Sequence, residues 1–227
     1  MSKQETAAAS DQYQKSGKPM VASSYSNPIA NASDKLKDKL SENWMSAWNI
    51  ILTAIVFAIL IALVHYYTVA NLFNTGEIFE GIGWVSTLSG GLYFVIVALM
   101  IGSAGAAFGM SWKKNSESAT WTIAAILVLG LLTFYMFASA RDGRKEQFVL
   151  WTGVSVVASI GIAGYGFWST RGLKNFADAN PHMFDEADKK AIPQRYTYSM
   201  AMLGVSVLSA IAVGVGALSL HRAIPAQ

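Results

Sequence analysis

The run of residues 44–70, WMSAWNIILTAIVFAILIALVHYYTVA, limits what this chain can become more than any other stretch. From Ile50 to Val64 it has no charge, no proline and no glycine. With its flanks it is long enough to cross a bilayer, which takes about 20 mostly apolar residues at roughly 1.5 Å rise each. As the first apolar run, it also sets the expected orientation of every later span.

Four more apolar runs cover approximately residues 84–110, 121–140, 148–170 and 196–220. The expected fold is an all-α polytopic integral membrane bundle of about five transmembrane helices. Residues 1–43 form a polar N-terminal tail, 44–221 the bundle, and 222–227 a short C-terminal tail. Only 14% of the 227 residues are charged, against about 25% in soluble domains. The deficit falls in segments that face lipid. The absence of cysteine excludes disulfides, cysteine-ligated zinc, iron–sulfur clusters and thiol catalysis. The net charge of +3 reads as an orientation signal rather than a nucleic-acid footprint.

Residues 1–32 are rich in Ser, Ala, Gln, Lys and Asn. They lack the apolar surface to order themselves, so a disordered tail is expected unless a partner subunit holds it. The long polar lead and Ser2 argue against a cleavable signal peptide and against myristoylation. Residues 33–43 read as a short amphipathic helix, capped by Ser33, with Leu36 and Leu40 on one face and lysines suited to anionic headgroups. The Asn31-Ala32-Ser33 sequon falls on the expected inner side.

Small residues stud the spans. Gly105 and Gly109 in the second, Gly161 and Gly164 in the fourth and Gly204 in the fifth are expected at helix contacts, because lipid gives helices no hydrophobic reason to associate. In a five-span arrangement, 13 Lys and Arg fall on the side of the N-terminus and 4 on the other. The positive-inside bias then puts the N-terminus in the cytoplasm and the C-terminus outside. Trp44, Trp48, Trp112, Trp121, Trp168, Tyr196 and Tyr198 would mark the inner interface, and Tyr66, Tyr67, Trp84 and Trp151 the outer one. In the loop 171–195, Asn180-Pro181 predicts a helix start and Pro193 its stop. Between them Asp185–Lys189 and Glu186–Lys190 have i,i+4 spacing, so a short surface helix near the inner face is expected.

His65 is the ionisable side chain set within an apolar run, which makes it a functional candidate. It lies 17 residues after Trp48, about 25 Å along a helix, and is therefore expected at the outer interface beside Tyr66 and Tyr67. Glu77 and Glu80 in the first outer loop could bind a cation or move a proton. His182, Asp185, Glu186 and Asp188 lack the spacing of a calcium loop. The sequence holds no P-loop, dinucleotide fingerprint, H-E-x-x-H or G-x-S-x-G motif, and no span is broken by proline. No catalytic residue, cofactor or metal is assigned.

These features point to a non-enzymatic structural subunit that anchors or spaces partners in a larger membrane assembly. A respiratory or photosynthetic supercomplex and the internal membrane of a virion are the settings that fit. Its expected partners are the lipid bilayer and other protein subunits, with no nucleic acid. The alternative is a homo-oligomeric channel or small-solute carrier lined by Thr152, Ser155, Ser159, Ser206 and Ser209. A membrane enzyme built on His65, Glu77 and Glu80 is the third reading.

Overall fold

The computed structural model describes residues 46–70, 89–112 and 115–223. The expectations for residues 1–43, for Trp44, Trp84, Glu77 and Glu80, and for the last four residues lie outside the described residues. Among the described residues the regular structure is helical throughout: α1 (Ala47–Ala70), α2 (Ser89–Gly109), α3 (Asn115–Arg141), α4 (Lys145–Ala179), a 3₁₀ turn (Pro181–Met183) and α5 (Glu186–Ala223). All five α-helices are long and apolar enough to cross a membrane, so this is a multi-pass membrane protein.

The second helix is the axis of the bundle. It packs against each of the other four, whereas α1 and α5 barely meet. Of its apolar window 67% is buried, against 28% for α1. Its composition explains the position. The run from Gly102 to Gly109 is GSAGAAFG, so its backbone can be approached from several sides at once. The other helices bury one line and show lipid the rest. On α4 the buried line is Phe148, Thr152, Ser155, Ser159, Ala163, Gly166 and Thr170, a 3–4 spacing of mostly small residues. Leu150, Val157 and Trp168 on the same helix are exposed.

A tight turn joins α3 to α4. Gly143 has φ 67°, a left-handed conformation that favours glycine. Asp142 pairs with Arg141 at 2.8 Å and with Arg144 at 2.7 Å. These cations, Arg141 first, hold the Asp142 carboxyl below its ordinary range, so the pairs persist until the pH falls beneath that range.

The connection from α4 to α5 departs from the sequence expectation. No separate surface helix forms there. Pro181 opens a single 3₁₀ turn, and Pro193 lies inside α5 instead of ending it. Asp185 starts that helix: its Oδ1 accepts from the Asp188 N–H at 2.7 Å. Lys189 then pairs with Glu186 at 2.8 Å, an i,i+3 pair rather than either of the expected i,i+4 pairs. A proline in a helix interior costs about 3 kcal/mol because it removes one bond and crowds a carbonyl. Here Lys189 and Pro193 are exposed, so the freed carbonyl lies on a wet face. Ile192 and Arg195, both buried, hold the segment against the bundle. At 35 and 38 residues, α4 and α5 are over about 50 Å long, against a hydrocarbon core of about 30 Å. Both helices are thus longer than a span needs, and their charged ends form a helical hairpin.

Aromatic pairs gather at the two ends of the spans. Trp48 and Tyr198, Trp112 and Trp121, and Phe167 and Tyr196 adjoin at one end, while Tyr66 and Tyr67, and Tyr135 and Trp151, adjoin at the other.

Candidate functional site

Among the described residues, three large polar side chains lie buried in the bundle and bond the backbone of another helix or its end. His65 is 2% exposed, so at its end of the span it faces the bundle interior. Its Nε2 is 3.0 Å from the Gly130 carbonyl on α3. A carbonyl can only accept, so Nε2 carries the proton. The ring packs at 5.4 Å from that of Phe137 and 6.2 Å from that of Phe134. Depth along a helix does not give its azimuth. Ala47, Ile50, Ala54 and Ala58 set the inward line of α1, and His65, seven residues past Ala58, falls on it.

Tyr93 on α2 donates its hydroxyl to the Val213 carbonyl of α5 at 3.1 Å. Gly216 makes room for the ring: a Cβ there would lie 2.6 Å from the Tyr93 Cε2. Tyr93→Phe is expected to cost about 1 kcal/mol of unfolding free energy while keeping the packing. Denaturant titration in detergent micelles measures this, and an unchanged midpoint would mean that the bond contributes nothing.

Arg195 reads from the sequence as a loop cation, yet it is 2% exposed. Its Nη1 donates to the Trp112 carbonyl and, at 3.4 Å, to that of Met110. Those carbonyls follow the C-terminus of α2, where a helix leaves acceptors without intrahelical donors and favours positive charge. Ser118 Oγ, at the start of α3, donates to the same Trp112 carbonyl at 2.8 Å. One carbonyl thus ties three helices. Taking Pro193 as a stop hides this role, because it starts the fifth span at about residue 196, ten residues after α5 begins, and leaves Arg195 in a loop.

Four of the five hydroxyls of the candidate channel stripe divide into two groups, and the fifth, Ser209, is buried. Thr152 and Ser155 donate to carbonyls four residues back, at 2.7 and 2.8 Å. Ser159 and Ser206, and with them Ser199, are fully buried and have no hydrogen-bond partner. Among the described residues no group of three His, Asp or Glu side chains could hold a metal ion. His182 is exposed on its 3₁₀ turn, away from the buried groups.

The glycines separate similarly. A Cβ on Gly105 would strike Ile126 of α3, and one on Gly109 would overlap Thr122 of the same helix. A Cβ on Gly161, Gly164 or Gly204 would meet nothing within 4 Å among the described residues, so there these three do not mark the expected close approaches. Gly161 and Gly164 miss the buried line of α4, and Gly204 is exposed. The close approaches that residue type does not single out are at Gly102 against Ala58, Gly130 against Ile61, and Gly166 against the Ala107 backbone.

Two apolar furrows groove the outside, one of about 640 Å³ between α1, α2 and α5 and one of about 430 Å³ between α4 and α5. No protein-family model, curated protein or solved structure matches this chain.

Proposed function

We propose that this chain is a structural, non-enzymatic membrane subunit that anchors or spaces partners in a larger membrane-associated assembly. The carrying observation is how its buried polar groups are used. His65, Tyr93 and Arg195 each bond a backbone carbonyl far along the chain, so the polarity inside the bundle joins helices. A bundle tied this way makes a rigid platform. The charged α4–α5 hairpin, with Met183 63% exposed near its turn, offers such a platform a contact point beyond the lipid. The proposed settings are a respiratory or photosynthetic supercomplex or the internal membrane of a virion. The charge bias supports a cytoplasmic N-terminus and a C-terminus on the opposite side.

The test is native electrophoresis of mildly solubilised membranes, comparing the full chain with a variant lacking residues 1–32. The full chain is expected to migrate in a large complex, and the shortened one to run alone with its bundle stability unchanged. Equal migration of both would remove the anchoring role of the tail. The unpartnered Ser159, Ser199 and Ser206 favour a second reading, a channel or carrier working as a homo-oligomer. Solute flux through liposomes holding the purified chain would establish that reading in place of the first.

A further inference from the structure

Most hydroxyls in these helices take a ready acceptor. Thr152, Ser155 and Thr170 on α4, and Thr122 and Thr133 on α3, each donate to the carbonyl four residues back. Ser159 and Ser206 do not. Both are 0% exposed, and neither Oγ has a hydrogen-bond partner. A serine inside a helix has that upstream carbonyl within reach, so each of these side chains is turned away from its own helix. Between membrane spans an unserved hydroxyl is costly, because no bulk water lies alongside to replace the lost bond.

Two separate contacts put these hydroxyls at one depth. Gly166 abuts the Ala107 backbone of α2, and Ser159 precedes it by seven residues on the same buried line of α4. Alternate spans run the same way, so Ser159 comes level with Met100 of α2. Val213 accepts from Tyr93 of α2, and Ser206 precedes it by seven residues on α5. That helix runs opposite to α2, so the same count taken forward from Tyr93 again ends at Met100. Each count covers about 10 Å, and the two levels agree to within about one turn. Met100 is itself 0% exposed and sits midway along the apolar window Leu92–Gly109. The helices α2, α4 and α5 pack on one another pairwise, so both serines border a single seam.

The seam is shut on either side of this level. Toward the hairpin the Gly166–Ala107 contact closes it, and Ser199, seven residues before Ser206, lies at that closed end. Toward the other end the Tyr93 ring closes it, pressed against Gly216. An extended ligand has no way through. Among the described residues, the buried lines of α4 and α5 carry no charged side chain within two turns of Ser159 and Ser206. A metal ion would find no anionic ligand there. The two hydroxyls do not bond each other, and what both lack is an acceptor.

We propose that one water molecule is bound between Ser159 and Ser206, at the middle of the membrane. Its two lone pairs accept from the two hydroxyls. Its protons go to helix carbonyls of the seam, each of which has a second lone pair to offer. The water pins α4 and α5 to α2 halfway between the ties that Arg195 and Tyr93 make at the ends. The site stands independently of the structural-subunit reading.

The experiment is a double-mutant cycle on the full chain in mixed micelles, with Ser159→Ala, Ser206→Ala and the two combined. The water leaves when either anchor goes. Each single variant, and equally the double one, is therefore expected to raise the unfolding constant about fivefold. Ser103→Ala, which removes a hydroxyl bonded to its own helix, is the control, and its effect should multiply with that of S159A. Effects of S159A and S206A that multiply, or either variant as stable as wild type, would overturn the proposal. If a variant fails to fold, a high-resolution map of wild type in nanodiscs carries the test. One density peak within about 3 Å of both Oγ atoms is expected. No peak, direct contact between the two hydroxyls, or both turned onto their own helices would overturn the proposal. So would a row of peaks running on to Ser199, which would make the seam a conduit.

Discussion

Arg195→Met is expected to destabilise the bundle by about 3 kcal/mol or more, and to lower the yield of folded protein in detergent. The methionine fills much of the same space, so the loss comes from the carbonyls of Met110 and Trp112, which the guanidinium now serves. Both carbonyls lose a charged donor, and although Ser118 Oγ still serves that of Trp112, that of Met110 bears a desolvation penalty without this bond. Arg195→Lys should recover only part of this, because an ammonium offers its donors from one point and the two carbonyls belong to residues two apart. Arg171→Met, at an exposed position on the same hairpin, should stay within about 0.5 kcal/mol of wild type. Unfolding in mixed micelles reads all three. Equal behaviour of R195M and R171M would mean that the helix end does not need its cap.

The second large effect is a contrast between two glycines of one helix, five residues apart. At Gly166 an added Cβ would overlap the carbonyl of Ala107 and come within 2.7 Å of the Phe108 nitrogen. Backbone cannot rotate aside as a side-chain tip can, so α4 and α2 would have to separate. Gly166→Ala is expected to cost about 2 kcal/mol, and Gly166→Leu more. At Gly161 a Cβ meets nothing within 4 Å. There Gly161→Ala should gain about 0.5–1 kcal/mol through helix propensity and reduced backbone freedom in the unfolded chain. The same unfolding assay should therefore give opposite signs. A shared sign would show that α2 and α4 are not in close backbone contact.

The class of fold is legible in the sequence because lipid-facing helices must be long and apolar, and five such runs are plain. Which face of each run turns inward is less legible. Residue type alone puts Gly161 and Gly204 at contacts, although the line through Thr152, Ser155, Ser159, Ala163 and Gly166 excludes the first of them. Depth alone puts His65 at the interface, while its azimuth, seven residues after Ala58, decides its burial. The roles of Arg195 and Tyr93 require knowing which helix passes beside them. Their partners lie 83 and 120 residues away in the chain. Pro193 misleads for a different reason. A local rule about hydrogen bonding gives way to tertiary packing by Ile192 and Arg195, and its cost is lowered by an exposed carbonyl.

The central place of α2 has a consequence for how the protein is made. Because α2 precedes α5 in the chain, it is made before its surroundings are complete, since Tyr93 finds its acceptor on Val213. The packing around α2 is therefore complete only once α4 and α5 are in place.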